Sequence, residues 1–152
     1  MKKLSLFLGM VLAASFAMAQ NSANISQTGL NHKSENTQKT GTGNGITVKQ
    51  LQEDTSTKGY ISEITQDGSS NTADVVQGGQ PQDYPQGSNG GSSVEINQTG
   101  TSHDAKVNQN ANPGALAKVT QNGVNQLTEV WNANNTGDAT VFQNGQLRNN
   151  AY

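Results

Sequence analysis

Two histidines and eleven carboxylates are the groups in this 152-residue chain that could move protons or hold a metal, and cysteine is absent. His32 and His103 have no second ligand at metal-binding spacing, and His103 occupies a turn slot that a neighbouring repeat fills with Asn71. Asp67, Asp74, Asp104 and Asp138, with Glu63, Glu95 and Glu129, could be paired for acid–base hydrolysis of a sugar. They fall instead at outward or turn positions, where they solvate the chain and slow premature stacking by like-charge repulsion. No catalytic, cofactor or metal site is assigned, and the chain is expected not to be an enzyme. The chemistry that does repeat is hydrogen bonding by carboxamides. The chain holds 16 glutamines and 19 asparagines, and an amide both donates and accepts, so stacked copies can bond to one another.

Those carboxamides must be positioned by regular elements, because they recur in phase. Gln27, Gln38, Gln50, Gln66, Gln77, Gln98, Gln109, Gln121, Asn132 and Gln143 follow one another at eleven or twelve residues wherever the interval is regular. One interval fits a short strand and a tight turn, and two intervals close a coil of 22 to 23 residues. A repeat of that length has too small a core to fold alone and is stabilised by stacking on its neighbours.

Relative to the glutamines taken as first-strand origins, positions −4 and −2 are small or β-branched: Ala23 and Ile25, Ile46 and Val48, Ser62 and Ile64, Val94 and Ile96, Ala117 and Val119, Ala139 and Val141. Polar residues alternate with them, as in a strand with one buried and one wet face. The glutamine shares the apolar parity and points inward. Two residues later comes Gly29, Gly68, Gly100, Gly123 or Gly145, suited to the positive φ of a tight reversal. Parity then resumes on a second strand with Ala73, Val75 and Gln77; Ala105, Val107 and Gln109; Thr128, Val130 and Asn132; and, more weakly, Ser34, Asn36 and Gln38. Stacked about 4.8 Å apart, like glutamines satisfy one another, whereas a sandwich would bury them against unlike partners. The expected fold is all-β: a β-solenoid of about five strand-turn-strand rungs.

Two intervals depart from the rule. From Gln77 to Gln98 the step is 21, and the excess, Gly78 to Gly91, includes Pro81 and Pro85 and reads as a loop inserted into the stack. From Gln50 to Gln66 the step is 16, and Leu51 to Gly59 is either a long turn or a degraded strand.

Residues 1–19 read as a secretory signal: Lys2 and Lys3, an apolar run from Leu4 to Phe16, and Ala17-Met18-Ala19 as the cleavage site. The run is short for a membrane span, so none is expected in the mature chain, residues 20–152. The whole sequence is 31% hydrophobic, and the signal takes a disproportionate share. What remains is far below the roughly 45–50% of globular domains, which argues against a conventional oily core. Without Lys2 and Lys3, seven basic residues face eleven acidic ones, a balance unsuited to an electrostatic nucleic-acid binder.

The string Gln66-x-Gly68-x-x-Asn71-x-Ala73-x-Val75-x-Gln77 resembles the curlin repeat of bacterial curli subunits, and Gln98-x-Gly100-x-x-His103-x-Ala105-x-Val107-x-Gln109 matches it with His for Asn. The unit at Gln121 has Gln126, Thr128 and Asn132 in the later slots, and those at Gln27 and Gln143 keep only Gln-x-Gly. The resemblance implies a secreted structural subunit of functional amyloid in a biofilm matrix, exported unfolded through an outer-membrane channel with accessory proteins. It further implies polymerisation at the cell surface on a nucleating subunit, as a homopolymer fibre. A nucleator or minor subunit shares the same repeat and is the alternative. Unprotected strand edges at both ends of the stack are the expected means of end-to-end growth into cross-β fibre.

Other classes fit less well. A disordered Gln/Asn-rich chain would not hold apolar residues in two-residue phase with each glutamine, although disorder stays open for the isolated monomer. Trp131 and Phe142 have outward parity on adjacent strands, as does Val76, and could serve lateral contact or adhesion. An ice-binding solenoid would show a threonine row, but the outward slot reads Ser26, Lys49, Thr65, Asn97, Thr120 and Phe142.

Overall fold

The computed structural model describes residues 20–51, 59–78, 91–110, 114–133, 138–145 and 150–151. The proposed signal segment therefore lies outside the described residues, as does the inserted loop apart from Gly78 and Gly91. Eleven strands occur among the described residues: β1 (Ser22–Thr28), β2 (Lys33–Gln38), β3 (Gly45–Leu51), β4 (Ile61–Ser69), β5 (Thr72–Gln77), β6 (Ser93–Thr101), β7 (Asp104–Asn110), β8 (Leu116–Val124), β9 (Leu127–Ala133), β10 (Ala139–Gly145) and β11 (Asn150–Ala151). The fold is all-β.

Odd-numbered strands form one sheet in the order β1-β3-β5-β7-β9-β11, and even-numbered strands form the other, β2-β4-β6-β8-β10. Every pairing is parallel. The chain thus crosses from one sheet to the other with each strand, and each successive pair of strands adds a layer.

Alternation in the sequence becomes alternation in burial. Along β3, Ile46, Val48 and Gln50 are buried while Thr47 and Lys49 are exposed, and β4 repeats the pattern with Ser62, Ile64 and Gln66 inside. Among the described residues one apolar cluster fills the space between the sheets, including Val75, Val94, Ile96, Ala105, Val107, Ala117, Val119 and Val130, with Ala139 and Val141 partly buried against it. Its side chains are small and branched, so the two sheets approach closely enough for the inward amides to span the interior.

Register is in phase throughout: Val48 pairs with Val75, Val75 with Val107, Ile64 with Ile96 and Ile96 with Val119. Uninterrupted alternation of the strands also shows that the 16-residue step from Gln50 to Gln66 is a single crossing. Gln27 and Gln50 therefore lie on the sheet of Gln77 and Gln109, while Gln38 lies with Gln66, Gln98, Gln121 and Gln143. The sequence pattern groups Gln27 and Gln50 with the other sheet, because a lengthened connection shifts the count by one strand without disturbing the parity within any strand.

The two edges of the stack differ. Three returns from the five-stranded to the six-stranded sheet are short, with only Ser70 and Asn71 between β4 and β5, Ser102 and His103 between β6 and β7, and Asn125 and Gln126 between β8 and β9, whereas Lys39 to Asn44 separate β2 from β3. At each of these three, a left-handed glycine near the end of the incoming strand and a left-handed residue in the return make the reversal, as in Gly68 (φ 120°) and Ser70 (φ 57°). Connections in the other direction vary in length, and both long intervals of the sequence fall there, from Leu51 to Ile61 and from Gln77 to Ser93.

Glycines form a close-packed column along the short edge. A Cβ on Gly68 would lie 1.9 Å from the carbonyl oxygen of Gly100, and one on Gly100 would lie 2.0 Å from that of Gly123. The column begins with Gly41, whose Cβ would meet the oxygen of Gly68 at 2.0 Å, rather than with Gly29, which turns the opposite edge after β1. Gly41 follows its glutamine by three residues instead of two, which hides it from the Gln-x-Gly pattern.

Candidate functional site

Each glutamine of the repeat sits near the end of its strand on the inward face, and its two methylenes carry the carboxamide into the corner between the sheets. In the six-stranded sheet, Nε2 of Gln27 donates to Oε1 of Gln50 at 2.7 Å, Gln50 to Gln77 at 2.8 Å, and Gln77 to Gln109 at 3.0 Å. Asn132 stands in strand register beside Gln109. In the five-stranded sheet, Gln38 donates to Gln66 at 3.1 Å, Gln66 to Gln98 at 2.8 Å, Gln98 to Gln121 at 2.9 Å and Gln121 to Gln143 at 3.0 Å. The second amide hydrogen crosses the interior to the main chain of the facing sheet: Gln98 reaches the Thr72 carbonyl at 2.8 Å, Gln121 that of Asp104 at 3.1 Å, and Gln77 that of Ile61 at 3.1 Å.

Gln50, Gln66, Gln77, Gln98 and Gln121 thus each bond to the layer before, the layer after and the opposite sheet. A buried amide with all these partners contributes modestly, about 0.5–1.5 kcal/mol net per bond, but stranding one costs about 1–3 kcal/mol, so the columns enforce register more than they add stability.

A second polar column runs inside the short edge. Oδ1 of Asn21 accepts the Asn44 amide N–H at 3.0 Å, Oδ1 of Asn44 accepts that of Asn71 at 3.0 Å, and Oδ1 of Asn71 accepts that of His103 at 3.1 Å. Asn44, Asn71, His103 and Gln126 are all buried. Asn21 and Asn44 escaped the sequence reading, although the signal was present: each stands two residues before an inward residue, Ala23 and Ile46, as Asn71 stands before Ala73.

His103 has no amide oxygen with which to extend that column. Its Nε2 lies 3.1 Å from the Thr99 carbonyl oxygen, and its buried Nδ1 has no partner among the described residues. Burial pushes the imidazole below its ordinary value of 6.5, partly offset by hydrogen bonding to the main chain at Thr99 and Gly123. His32, at the opposite edge, is placed differently: Nδ1 accepts the Tyr60 amide at 3.0 Å and the two rings stack with centroids 5.4 Å apart.

The described carboxylates lie outside. Glu35, Glu63 and Glu95 follow one another in register on the five-stranded sheet, with Lys118 next in the row. Lys33 pairs with Glu35 at 2.8 Å and Lys118 with Glu95 at 2.9 Å. Among the described residues no group of three or more His, Cys, Asp or Glu side chains is placed to hold a metal ion. On the six-stranded sheet, Trp131 donates to Glu129 at 2.6 Å beneath Lys106, whose ammonium lies 5.6 Å from the ring centre. Trp131 and Phe142 are both exposed, but on strands of different sheets, so they do not form one apolar patch. The outward row reads Thr37, Thr65, Asn97, Thr120 and Phe142 on one sheet and Ser26, Lys49, Val76, Asn108 and Trp131 on the other, and neither is a threonine row.

The ends are less well covered than the middle. Ile25 is in register with buried Val48 yet is 45% exposed, because β1 is the outermost strand and the facing β2 offers Ser34 and Asn36. Val141 is only partly buried in β10. At the C-terminal end β11 covers part of the edge that the sequence pattern leaves open, pairing with Leu127 and Thr128 of β9.

Fold and site together define an all-β protein of stacked parallel strands with two internal glutamine columns. Compared with family models, curated proteins and solved structures, the chain matches none of them.

Proposed function

We propose that the chain is a secreted structural subunit of an extracellular, curli-like functional amyloid of the biofilm matrix: a β-solenoid whose copies add end to end into a cross-β fibre. The observation that carries this reading is the pair of in-register glutamine columns, with seven interlayer bonds among the described residues, running to strand edges at both ends of the stack. Amide columns along a common axis are the side-chain arrangement that stabilises cross-β assemblies, and an uncovered parallel edge is a template for the next strand. The Gln-x-Gly-x-x-Asn-x-Ala-x-Val-x-Gln period supports the same class, and brings with it a nucleating subunit, an outer-membrane export channel and its accessory proteins as partners. The role is mechanical: no step of bond chemistry is assigned to any residue.

With five two-strand layers at about 4.8 Å each, one copy would add roughly 24 Å of fibre. The test is to purify the chain from Gln20 onward, let it stand, and record microscopy and fibre diffraction. Fibres with a meridional reflection near 4.8 Å are expected; a solution that stays monomeric and gives no such reflection rejects the proposal.

A further inference from the structure

The stack of full-length strands is bounded by β1 and β2 at its N-terminal end and by β9 and β10 at its C-terminal end. Beyond β1, β2 and β10 nothing is paired among the described residues, whereas β9 carries the two-residue β11 along its start. That pairing is in phase with the rest of the sheet. Asn150 lies opposite Leu127 and Ala151 opposite Thr128, which sets Ala151 at the end of the row Ile46, Ala73, Ala105 and Thr128, whose members are all buried. The same row begins with Ala23 of β1, in register with Ile46. A second copy that extended this sheet would set its own Ser22 and Ala23 against Leu127 and Thr128, where β11 already stands. β11 thus holds the place, and repeats the alanine, of the strand that a second copy would bring.

Main-chain geometry shows how lightly it is held. Along this sheet Ser22, Gly45, Thr72 and Asp104 donate their N–H groups to the connection that leads into the following strand, at 2.7–2.8 Å. Alternate residues of a parallel ladder bond to opposite neighbours, so the register position of Ala151 is the one whose N–H turns back to β9. Glu129 to Ala133 of β9 are left without a pairing on that side among the described residues.

We propose that β11 is an intramolecular cap on the C-terminal end of the stack, an autoinhibitory contact that must leave β9 before another chain can pair there. The proposal rests on the fibre reading above and concerns its regulation. A very short strand blunts a sheet edge against unwanted pairing, and two residues of ladder are readily displaced by a strand able to pair along all seven residues of β9. The folded chain is thereby held back from assembly by its own last strand, and growth at this end is set by how often β11 lifts.

Ala151→Pro removes the N–H that turns to β9, whereas Ala151→Ser keeps it. Chains from Gln20 onward carrying either substitution are compared with the unsubstituted chain in a dye-binding assay, with and without seeds of the same protein. Ala151→Pro is expected to shorten the lag and to speed seeded growth by about two- to tenfold, the worth of one ladder hydrogen bond, and Ala151→Ser to behave as the unsubstituted chain. Fibres from Ala151→Pro alone would bear out the cap in its strongest form. Equal rates for Ala151→Pro and the unsubstituted chain overturn the proposal while the fibre reading survives. Slower growth of Ala151→Pro also overturns it, because β11 would then belong to the contact between copies, and so does an equal acceleration by Ala151→Ser. Absence of fibres from all the proteins removes the fibre reading and the cap with it.

Discussion

Gln66 donates its amide to the carboxamide oxygen of Gln98 across 2.8 Å, and neither side chain is accessible to solvent. The two residues are 32 positions apart in sequence, so the bond forms only when two complete layers have closed in the correct phase. A one-residue slip would turn every inward side chain outward and strand both amides. The glutamine columns therefore act as a check on register.

Replacing Gln98 and Gln121 together with Ala should lengthen the lag of assembly in a dye-binding assay. The substitutions remove the three bonds joining Gln66, Gln98, Gln121 and Gln143, and each stranded partner costs about 1–3 kcal/mol. An unchanged lag would show that the amides are dispensable.

Gly100→Ala should be far more disruptive than Gly114→Ala. Both residues have positive φ, but a Cβ on Gly100 meets the Gly123 oxygen at 2.0 Å, while one on Gly114 meets nothing within 4 Å. Left-handed strain alone costs about 1–3 kcal/mol, and Gly100→Ala adds a backbone collision to it. Thermal melts of the two variants compare them directly; equal losses would mean that the glycine column is not closely stacked.

Stability should depend on pH through His103. Burial holds its folded value below the ordinary 6.5 of an imidazole, so the unfolded chain binds the proton more readily. This contribution is fully present above about pH 6.5, falls as pH drops from there to the folded value, and is completely lost below both. Denaturant titrations across that range should show the slope, and His103→Asn, which restores the residue type of the neighbouring layer, should remove the part due to this site. A variant with the same slope as the parent rules out His103 as its source.

Lys106→Ser and Lys118→Ser should both leave assembly intact. Their ion pairs with Glu129 and Glu95 lie on the wet faces, where such pairs contribute about 0–1 kcal/mol. Loss of fibres in either variant would reverse the assignment of inward and outward faces.

Much of this arrangement can be read from local pattern, because strand parity is a local property: Ile64, Gln66, Val75 and Gln77 keep their relative phase whatever the rest of the chain does. Sheet membership is not local. It depends on how many crossings precede a strand, and the long connection after Leu51 obscures that number, which is why Gln27 and Gln50 belong to the sheet opposite to the one their spacing suggests. Gly41 was hidden for a related reason, since its return is longer than the two-residue returns that define the motif, whereas Asn44 keeps its place two residues before an inward residue. The direction of the amide bonds has no counterpart in the sequence at all; it belongs to the closed stack.

The unequal edges of the stack have an evolutionary reading. Glycine meets the backbone of the next layer on both sides, at Gly68 on one and at Gly78 on the other, but one side absorbs additions as large as that between Gln77 and Ser93 with Val75 still opposite Val107 and Ile96 still opposite Ile64. New segments can therefore be acquired along a single margin without retuning the interior, and a guest peptide grafted there would be displayed on the same flank of every copy.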